Sequence, residues 1–291
     1  MMKRAFAALA VTVALGAGMS ATGAEAATAA CDRACLKGVM DAYLKALAAH
    51  KPGDAPVASN VRFTEDTKDA KLGDGLWKTI TGLGTYRQDF IDVQRGVVGS
   101  HVVVNEGASQ SLFAVRLKVV NRRITEIESQ VTHNQKEGSL FDTEALKTAG
   151  PVMNRLLTPA ERSSRDEIVY AAAFYPAGLQ GAATFGTIGA PFTADAYRQE
   201  NGVFAAGPPC PRTESCKNIS TQPLGNGRKQ FQQRILAVDE DLGVAWLRLS
   251  WGRSGGMRLV AYEAFKVVNG KMVAVEAFMK ELPVETTSGW D

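Results

Sequence analysis

The sequence has few side chains that bind metals and no long blocks of one charge. Only three histidines occur among its 291 residues, and His50, His101 and His133 are scattered rather than set at the spacing of metal ligands. The 33 basic and 30 acidic residues are mixed along the chain, a pattern that predicts neither nucleic acid nor an acidic membrane surface as a partner. We therefore expect no metal site and no nucleic acid.

Motifs for cofactor-dependent or covalent chemistry are also missing. The sequence contains no glycine-rich phosphate loop, nucleophile elbow, HExxH helix or dinucleotide fingerprint. This lack favours chemistry without a cofactor, and we expect none to be bound.

The N-terminus has the three-part plan of a secretory signal peptide. Basic MMKR precedes an apolar run, and A-x-A cleavage sites at 24–26 and 27–29 lie just ahead of Cys31. The run is shorter than the about 20 residues that span a membrane, and no later segment comes close. We predict an exported protein, periplasmic or extracellular, with no stable membrane insertion. A lipid anchor on Cys31 is the alternative, but the apolar residue expected three positions earlier is missing.

The four cysteines form two local pairs, which oxidising conditions outside the cytoplasm allow to close. Cys210 and Cys216 bracket a polar loop that begins Gly-Pro-Pro, and a disulfide there would limit its disorder. Cys31 and Cys35 lie four residues apart at the start of a helix, where a bridge could be strained. We predict a disulfide between Cys210 and Cys216 and leave the pairing of Cys31 with Cys35 open.

An internal repeat is the clearest feature of the sequence. Lys-Val-Val-Asn at 118–121 recurs at 266–269, and the match extends to five identities over the surrounding sixteen residues. Each copy of this segment predicts a strand, a tight turn at Asn and a second strand. We therefore divide the chain into a signal peptide at 1–29, a first domain at 30–150 and a second, diverged domain at 151–291.

Each copy also begins with an amphipathic helix, and alternating strands follow later in the copy. The second helix is expected to open with a capping box at Thr158-Pro159-Ala160-Glu161. A helix followed by a sheet predicts the α+β class. The inward positions of the two helices are Leu36, Val39, Met40, Tyr43, Leu44 and Leu47 in the first, and Ile168, Ala171, Ala172 and Tyr175 in the second.

Four segments of the first copy form a recognisable pattern: NVRFTE at 60–65, GDGLW at 73–77, VRLKV at 115–119 and ITEIE at 124–128. With this pattern the first copy resembles secreted members of the nuclear transport factor 2-like superfamily, which includes polyketide-cyclase-like proteins. More narrowly, it is similar to an uncharacterised family of exported bacterial and fungal proteins. The resemblance covers about residues 31–135, whereas the second copy lacks Gly-Leu-Trp and has Ala264 in place of Arg116.

This resemblance implies two tandem cones, each a curved antiparallel sheet wrapped around helices, with an apolar pocket at the open end. Pockets of this fold host cofactor-free isomerases, dehydratases, cyclases and lyases, and also binding proteins. We predict an exported lyase, dehydratase or isomerase that acts by acid–base catalysis on a small apolar or aromatic molecule, such as a lignin-derived diarylpropane. The alternative is a non-catalytic periplasmic small-molecule-binding or scaffold protein. The convex sheet faces would serve dimerisation, between chains as a homo-oligomer or between the two copies.

Strand alternation indicates which side chains face the first pocket. Phe113, Val115 and Leu117 form an apolar face, and Trp77 and Phe90 are expected to complete the pocket wall. His133 follows the same face on the partner strand, as a general acid or base or as a strand-end residue at the rim.

Two further polar pairs are candidates in the first copy. Arg62 and Glu65 are expected to pair near the pocket mouth, for chemistry or to fix a loop. Tyr86 and Asp89 form a candidate proton-transfer pair, although surface tyrosines are common. We expect the functional pocket in this copy.

The second copy has one carboxylate on an apolar strand face. Glu263 replaces Val115, and Arg248 on the neighbouring strand is its expected partner. Burial would raise the pKa of this carboxyl unless it is paired, so an acid–base role and a structural ion pair are both open. Glu128 and Glu276 occupy matching places in the two copies.

Overall fold

The computed structural model describes residues 31–147, 152–284 and 290, so the predicted signal peptide lies outside the described residues. The first copy contains α1 (Arg33–Ala48), β1 (Val57–Glu65), β2 (Lys68–Asp69), α2 (Leu76–Thr79), β3 (Gly82–Asp92), β4 (Val97–Glu106), β5 (Ser109–Val120) and β6 (Arg123–Thr132). The connection carries α3 (Gln135–Gly138) and α4 (Thr143–Leu146). The second copy contains α5 (Arg165–Gly181), β7 (Phe192–Glu200), β8 (Val203–Ala206), β9 (Gln232–Asp239), β10 (Val244–Gly252), β11 (Met257–Val268) and β12 (Lys271–Pro283).

The two copies form two six-stranded sheets with the same strand order. The orders are β2-β1-β6-β5-β4-β3 and β8-β7-β12-β11-β10-β9. Neighbouring strands are antiparallel except for the pairs β1 with β6 and β7 with β12, which are parallel. Each parallel pair brings the first strand of a copy beside its last one, as a long intervening connection allows. The predicted duplicated α+β fold is confirmed.

The repeated Lys-Val-Val-Asn segment marks the same hairpin turn in both sheets. Asn121 and Arg122 have φ of 49° and 61°, and Asn269 and Gly270 have φ of 49° and 72°. Two consecutive residues with positive φ are typical of a type I′ turn, in which Asn and Gly are favoured. Both copies therefore keep Asn at the first position of the turn, where the backbone favours it.

The helices bury the faces that the sequence predicts, but the second one begins later than expected. Its N-cap is Ser164, which forms a capping box with Glu167. Thr158 and Glu161 also bond to each other, yet they close only a separate turn. Both segments have the capping pattern, and the Ser164 box precedes the apolar positions that repeat at helical spacing.

The two sheets pack on each other through the faces that are turned away from α1 and α5. Phe90 and Trp246 stack across this interface with ring centroids 5.3 Å apart, and a Cβ atom at Gly99 would overlap the Trp246 ring. The Trp246 indole N–H donates to Nε2 of buried His101 at 3.0 Å. Burial lowers the pKa of His101 to about 3, so this histidine is a neutral part of the core.

Two buried aspartates tie the copies together by reciprocal bonds. Asp92 and Asp239 end β3 and β9, and both are fully buried. Each carboxylate accepts a backbone N–H from the other copy and pairs with the arginine that begins the other copy's helix. The bonds run from Ile91 N to Asp239 (2.8 Å), from Val238 N to Asp92 (2.9 Å), from Arg33 to Asp239 (2.6 Å) and from Arg165 to Asp92 (2.6 Å).

Both cysteine pairs are closed as disulfides, Cys31 with Cys35 and Cys210 with Cys216. The open question about the first pair is thus answered, since its Cα atoms lie 5.2 Å apart, within the usual range. Two disulfides are typical of an oxidising compartment. Over 31–147, 152–284 and 290, no helix has the length and apolarity needed to cross a bilayer.

Candidate functional site

A buried carboxyl lies in the core of the second copy. Glu263 is on β11, on the face that packs against α5, between the core residues Ala261 and Phe265. Its register partner on β10 is Leu247. Only 2% of Glu263 is exposed, so this acid interrupts an otherwise apolar face as the sequence predicts.

Three polar side chains surround this carboxyl. The Tyr175 hydroxyl, from α5, hydrogen-bonds Glu263 and lies 3.4 Å from Nη1 of Arg198. Nε of Arg198 in turn lies 2.9 Å from the Glu200 carboxylate. Oε2 of Glu263 is buried and has no hydrogen-bond partner within the described part of the chain. The acid is therefore held by one oxygen and unsatisfied at the other.

The surroundings of Glu263 favour its protonated form. Burial raises its pKa to about 8, the charge of Glu200 adds to the rise, and Arg198 and the Tyr175 bond oppose it. A carboxyl with a pKa raised in this way is mostly protonated at pH 7. Glu263 can thus donate a proton near neutral pH, where an ordinary glutamate is ionised.

Two neighbouring cavities adjoin the residues around Glu263. The inner one has a volume of about 180 Å³, and its walls include Tyr175, Arg198 and Glu200. The outer one has a volume of about 620 Å³ and is more open. Arg228, Trp251 and Arg253 line both cavities, so the two cavities lie side by side.

The matching part of the first copy is packed with apolar and aromatic side chains. Trp77 is buried, and its ring meets Tyr43 edge-on at 5.5 Å. Leu76 and Ile80 are buried in the same core. Phe113, Val115 and Leu117 lie on the predicted apolar face, but they pack within this core.

The first copy has a counterpart of the buried acid at another position. The Glu65 carboxylate accepts the Leu76 N–H at 3.2 and 3.3 Å, and burial raises its pKa to about 7, with Asp66 adding to the rise. The predicted pair of Arg62 with Glu65 is not formed. Arg62 is exposed on its strand and contacts Asp69 and the Trp290 ring instead.

His133 lies at the end of β6 and does not face the core of the first copy. β6 ends one residue earlier, at Thr132, so the strand no longer directs this side chain inward. The ring is 43% exposed and lies 3.0 Å from Glu137 and 3.5 Å from Glu106. The alternative of a strand-end histidine is the one that the structure shows.

Tyr86 and Asp89 point to opposite faces and do not pair. Tyr86 faces the second sheet and donates to Glu276 at 3.0 Å, whereas Asp89 accepts from Arg87 and Ser100 at 2.8 Å. Phe90 belongs to the interface between the sheets, not to a pocket wall. Both differences arise because the second sheet covers the face of β3 that carries Tyr86 and Phe90.

Arg248 is not the partner of Glu263. Its register neighbour on β11 is Tyr262, so it points to the other face of the sheet, where it lies 3.8 Å from Glu128. Glu128 also accepts from Arg234 at 2.5 and 2.6 Å. The matching Glu276 accepts hydrogen bonds across the interface, and burial raises its pKa. Both acids thus serve the contact between the copies.

The residues that surround Glu263 were not among the sequence candidates. Tyr175 was expected only as a core position of the second helix. Arg198 and Glu200 lie in the segment 196–201, which resembles 61–66 at an offset of 135, with Glu200 at the place of Glu65. The signal was a pair of matching acids at one position of the repeat. The cavity residues Arg228 and Trp251 have no such signal.

Comparison with known proteins places a family match in the second copy. A model described as a domain of unknown function (DUF8021) matches residues 161–279, whereas the sequence resemblance was expected to be stronger at 31–135. No curated protein matches the sequence. The duplicated α+β fold that the resemblance implied is present in the topology of the two sheets.

Solved structures with similar parts include three bacterial proteins. An NTF-2 like protein of unknown function from Burkholderia xenovorans LB400 is 7% identical, with a TM-score of 0.30, over 35% of this chain and 85% of its own. A putative ketosteroid isomerase from Kribbella flavida DSM 17836 is 14% identical, with a TM-score of 0.28, over 44% and 93%. An M. tuberculosis LEH-like epoxide hydrolase is 15% identical, with a TM-score of 0.26, over 34% and 83%.

Proposed function

We propose that the second copy is a cofactor-free acid–base site of the lyase, dehydratase or isomerase type, for a small and mostly apolar molecule. The observation that carries this proposal is the buried Glu263 carboxyl, which is bonded to a cavity-lining tyrosine and unsatisfied at Oε2. A buried acid that is kept neutral and bonded to a group on a cavity wall is a recurring arrangement for proton transfer.

The chemistry uses two carboxyl groups in different surroundings. Glu200 lines the inner cavity and accepts a proton from a substrate carbon. Glu263 supplies a proton through the Tyr175 hydroxyl, to a leaving oxygen in a dehydration or to a second carbon in an isomerisation. Arg198, which contacts Tyr175 and Glu200, stabilises the negative charge that Glu263 acquires. The proton removed and the proton delivered balance, so no cofactor is needed.

The proposal includes export to the periplasm or the cell exterior. The two disulfides support it, because such bonds persist in oxidising compartments. A molecule with two aromatic rings, such as a lignin-derived diarylpropane, would place one ring in each of the two cavities.

The test is turnover by the purified, disulfide-bonded protein on a panel of small aromatic compounds, followed by mass spectrometry. Glu263→Gln is expected to lower kcat by about 10²- to 10⁴-fold, the usual contribution of a general acid. Glu65→Gln, which changes a half-buried acid of the first copy whose pKa is also raised, serves as the control and keeps its activity. If Glu65→Gln or His133→Gln loses turnover and Glu263→Gln does not, the site lies in the first copy. Binding without turnover of any compound favours the non-catalytic binding protein.

A further inference from the structure

The entrance to the second cone carries an excess of positive charge. Arg228, Lys229 and Arg253 line the outer cavity. In the same region Glu281 lies 3.2 Å from Nε of Arg253 and offsets the charge of that side chain. A cavity with cationic walls concentrates anions, because low-dielectric surroundings focus the electric field.

One of these arginines is fixed in place and keeps a donor unused. Nη1 of Arg228 donates to the carbonyl oxygens of Leu224 and Asn226, at 3.3 and 3.2 Å. These bonds hold the guanidinium 5.9 Å from the Trp251 ring centroid. Nε of Arg228 is buried and has no hydrogen-bond partner within the residues that the structure describes.

Trp251 adds a second unused donor beside it. Its side chain is buried, with 7% exposure, and its ring stacks on Phe231 with the centroids 5.9 Å apart. Nε1 of the indole has no hydrogen-bond partner in the described part of the chain. Buried donors are nearly always satisfied in native proteins. Arg228 and Trp251 both line the two cavities, so a bound acceptor is one way to satisfy these donors.

The inner cavity limits the size and polarity of that ligand. Its volume of about 180 Å³ corresponds to about six water molecules at roughly 30 Å³ each, enough for one aromatic ring with a short substituent. A polar anion alone would leave the apolar part of the wall without contacts. The apolar wall residues are Leu179, Leu224, Leu259 and Met279.

We propose that the two cavities bind a small aromatic carboxylate, with its ring against the apolar inner wall and its carboxylate held by Arg228, Arg253 and the Trp251 N–H. This assignment rests on the acid–base function proposed above and names its substrate class. The ligand then lies beside Tyr175 and Glu200, which line the same inner cavity.

Isothermal titration of the full mature protein with trans-cinnamate tests the assignment, and the neutral isostere cinnamamide is the matched probe. We expect cinnamate to bind at least about tenfold more tightly than cinnamamide, and Arg228→Gln to remove this preference, since a hydrogen bond to a charged group contributes about 1.5–3 kcal/mol. Arg212→Gln, in the exposed cysteine loop, should leave it unchanged. Arg228→Lys, which keeps the charge, should retain part of the preference.

Equal affinities for the acid and the amide would overturn the assignment, as would unchanged cinnamate binding by Arg228→Gln and Arg253→Gln. Displacement of cinnamate by an equal concentration of inorganic phosphate would also overturn it, because the site would then recognise charge without the ring. Glu263→Gln separates this test from the proposed function. If the variant and the wild type bind cinnamate alike but no aromatic acid is turned over, the catalytic proposal fails and the ligand class stands.

Discussion

Replacement of Asp239 by alanine is expected to lower the free energy of unfolding by about 3–5 kcal/mol. The carboxylate is fully buried at the interface between the sheets and binds Arg33 at 2.6 Å. It also accepts the N–H groups of Ile91 and Leu242 at 2.8 and 3.0 Å. The substitution leaves two buried donors without an acceptor, at about 1–3 kcal/mol each, and removes the partner of the arginine.

Urea unfolding followed by circular dichroism measures this loss, provided that the m-values of variant and wild type agree. Asp241→Ala is the matched control. Asp241 lies two residues further along, is 37% exposed and contacts Arg162 and Arg33, so its loss should cost only about 0–1 kcal/mol. Asp92→Ala should match Asp239→Ala, because the reciprocal bonds give the two residues the same role. A loss below about 1 kcal/mol in both would refute the view that these aspartates hold the copies together.

Other consequences concern packing and pH. Gly99→Val should destabilise the protein by about 1–3 kcal/mol, because the new side chain meets the Trp246 ring. Gly38→Ala, on the open face of α1, should stabilise it by about 0.5–1 kcal/mol. Urea titrations that give equal midpoints for the two variants would contradict both expectations. The pKa of Glu263 in the folded protein, about 8, lies above the ordinary value of 4.5, so the folded state binds a proton that the unfolded state has already lost. The free energy of unfolding therefore falls as the pH rises from about 5 to about 8, by at most roughly 1.4 kcal/mol per pH unit. Glu263→Gln lacks this loss, and its stability relative to the wild type should rise over the same interval; parallel pH profiles would show that Glu263 titrates normally.

Periodicity predicted the local structure well because it reports on one element and its nearest core. The helix faces, the paired hairpins and the acid on the apolar face of β11 all follow from which side chains share a face. The beginning of α5 was missed because two capping patterns lie six residues apart and only the one at Ser164 precedes the helical period. Alternation alone could not show which face meets the second sheet.

The interface between the copies left a signal that alternation does not use. β4 and β10 are buried along almost their whole length, and continuous apolar runs such as VAWL at 244–247 indicate strands that are covered on both faces. Because both faces are covered, Phe90, the expected pocket wall, and Tyr86, the expected proton-transfer residue, lie in the interface between the sheets. Arg248 then reaches an acid of the other copy.

The candidate site could be predicted only in part. Glu263 was found because it breaks an apolar pattern within one strand. Arg228 and Trp251 were not, since one lies in an irregular loop and the other at the end of β10, and only the folded chain brings them beside Tyr175. Sites assembled from loops leave no periodic trace in a sequence.

The protonation of Glu263 in the folded protein is the most direct test of the proposed acid–base site. Infrared difference spectra of the wild type and Glu263→Gln, recorded between pH 5 and pH 10, isolate the carboxyl stretch of this one residue. We expect a protonated carboxylic acid band at pH 7 that titrates with a pKa of about 8 and is missing in the variant. A carboxylate band already fully developed at pH 6 would contradict the assignment of Glu263 as the proton donor of the second copy.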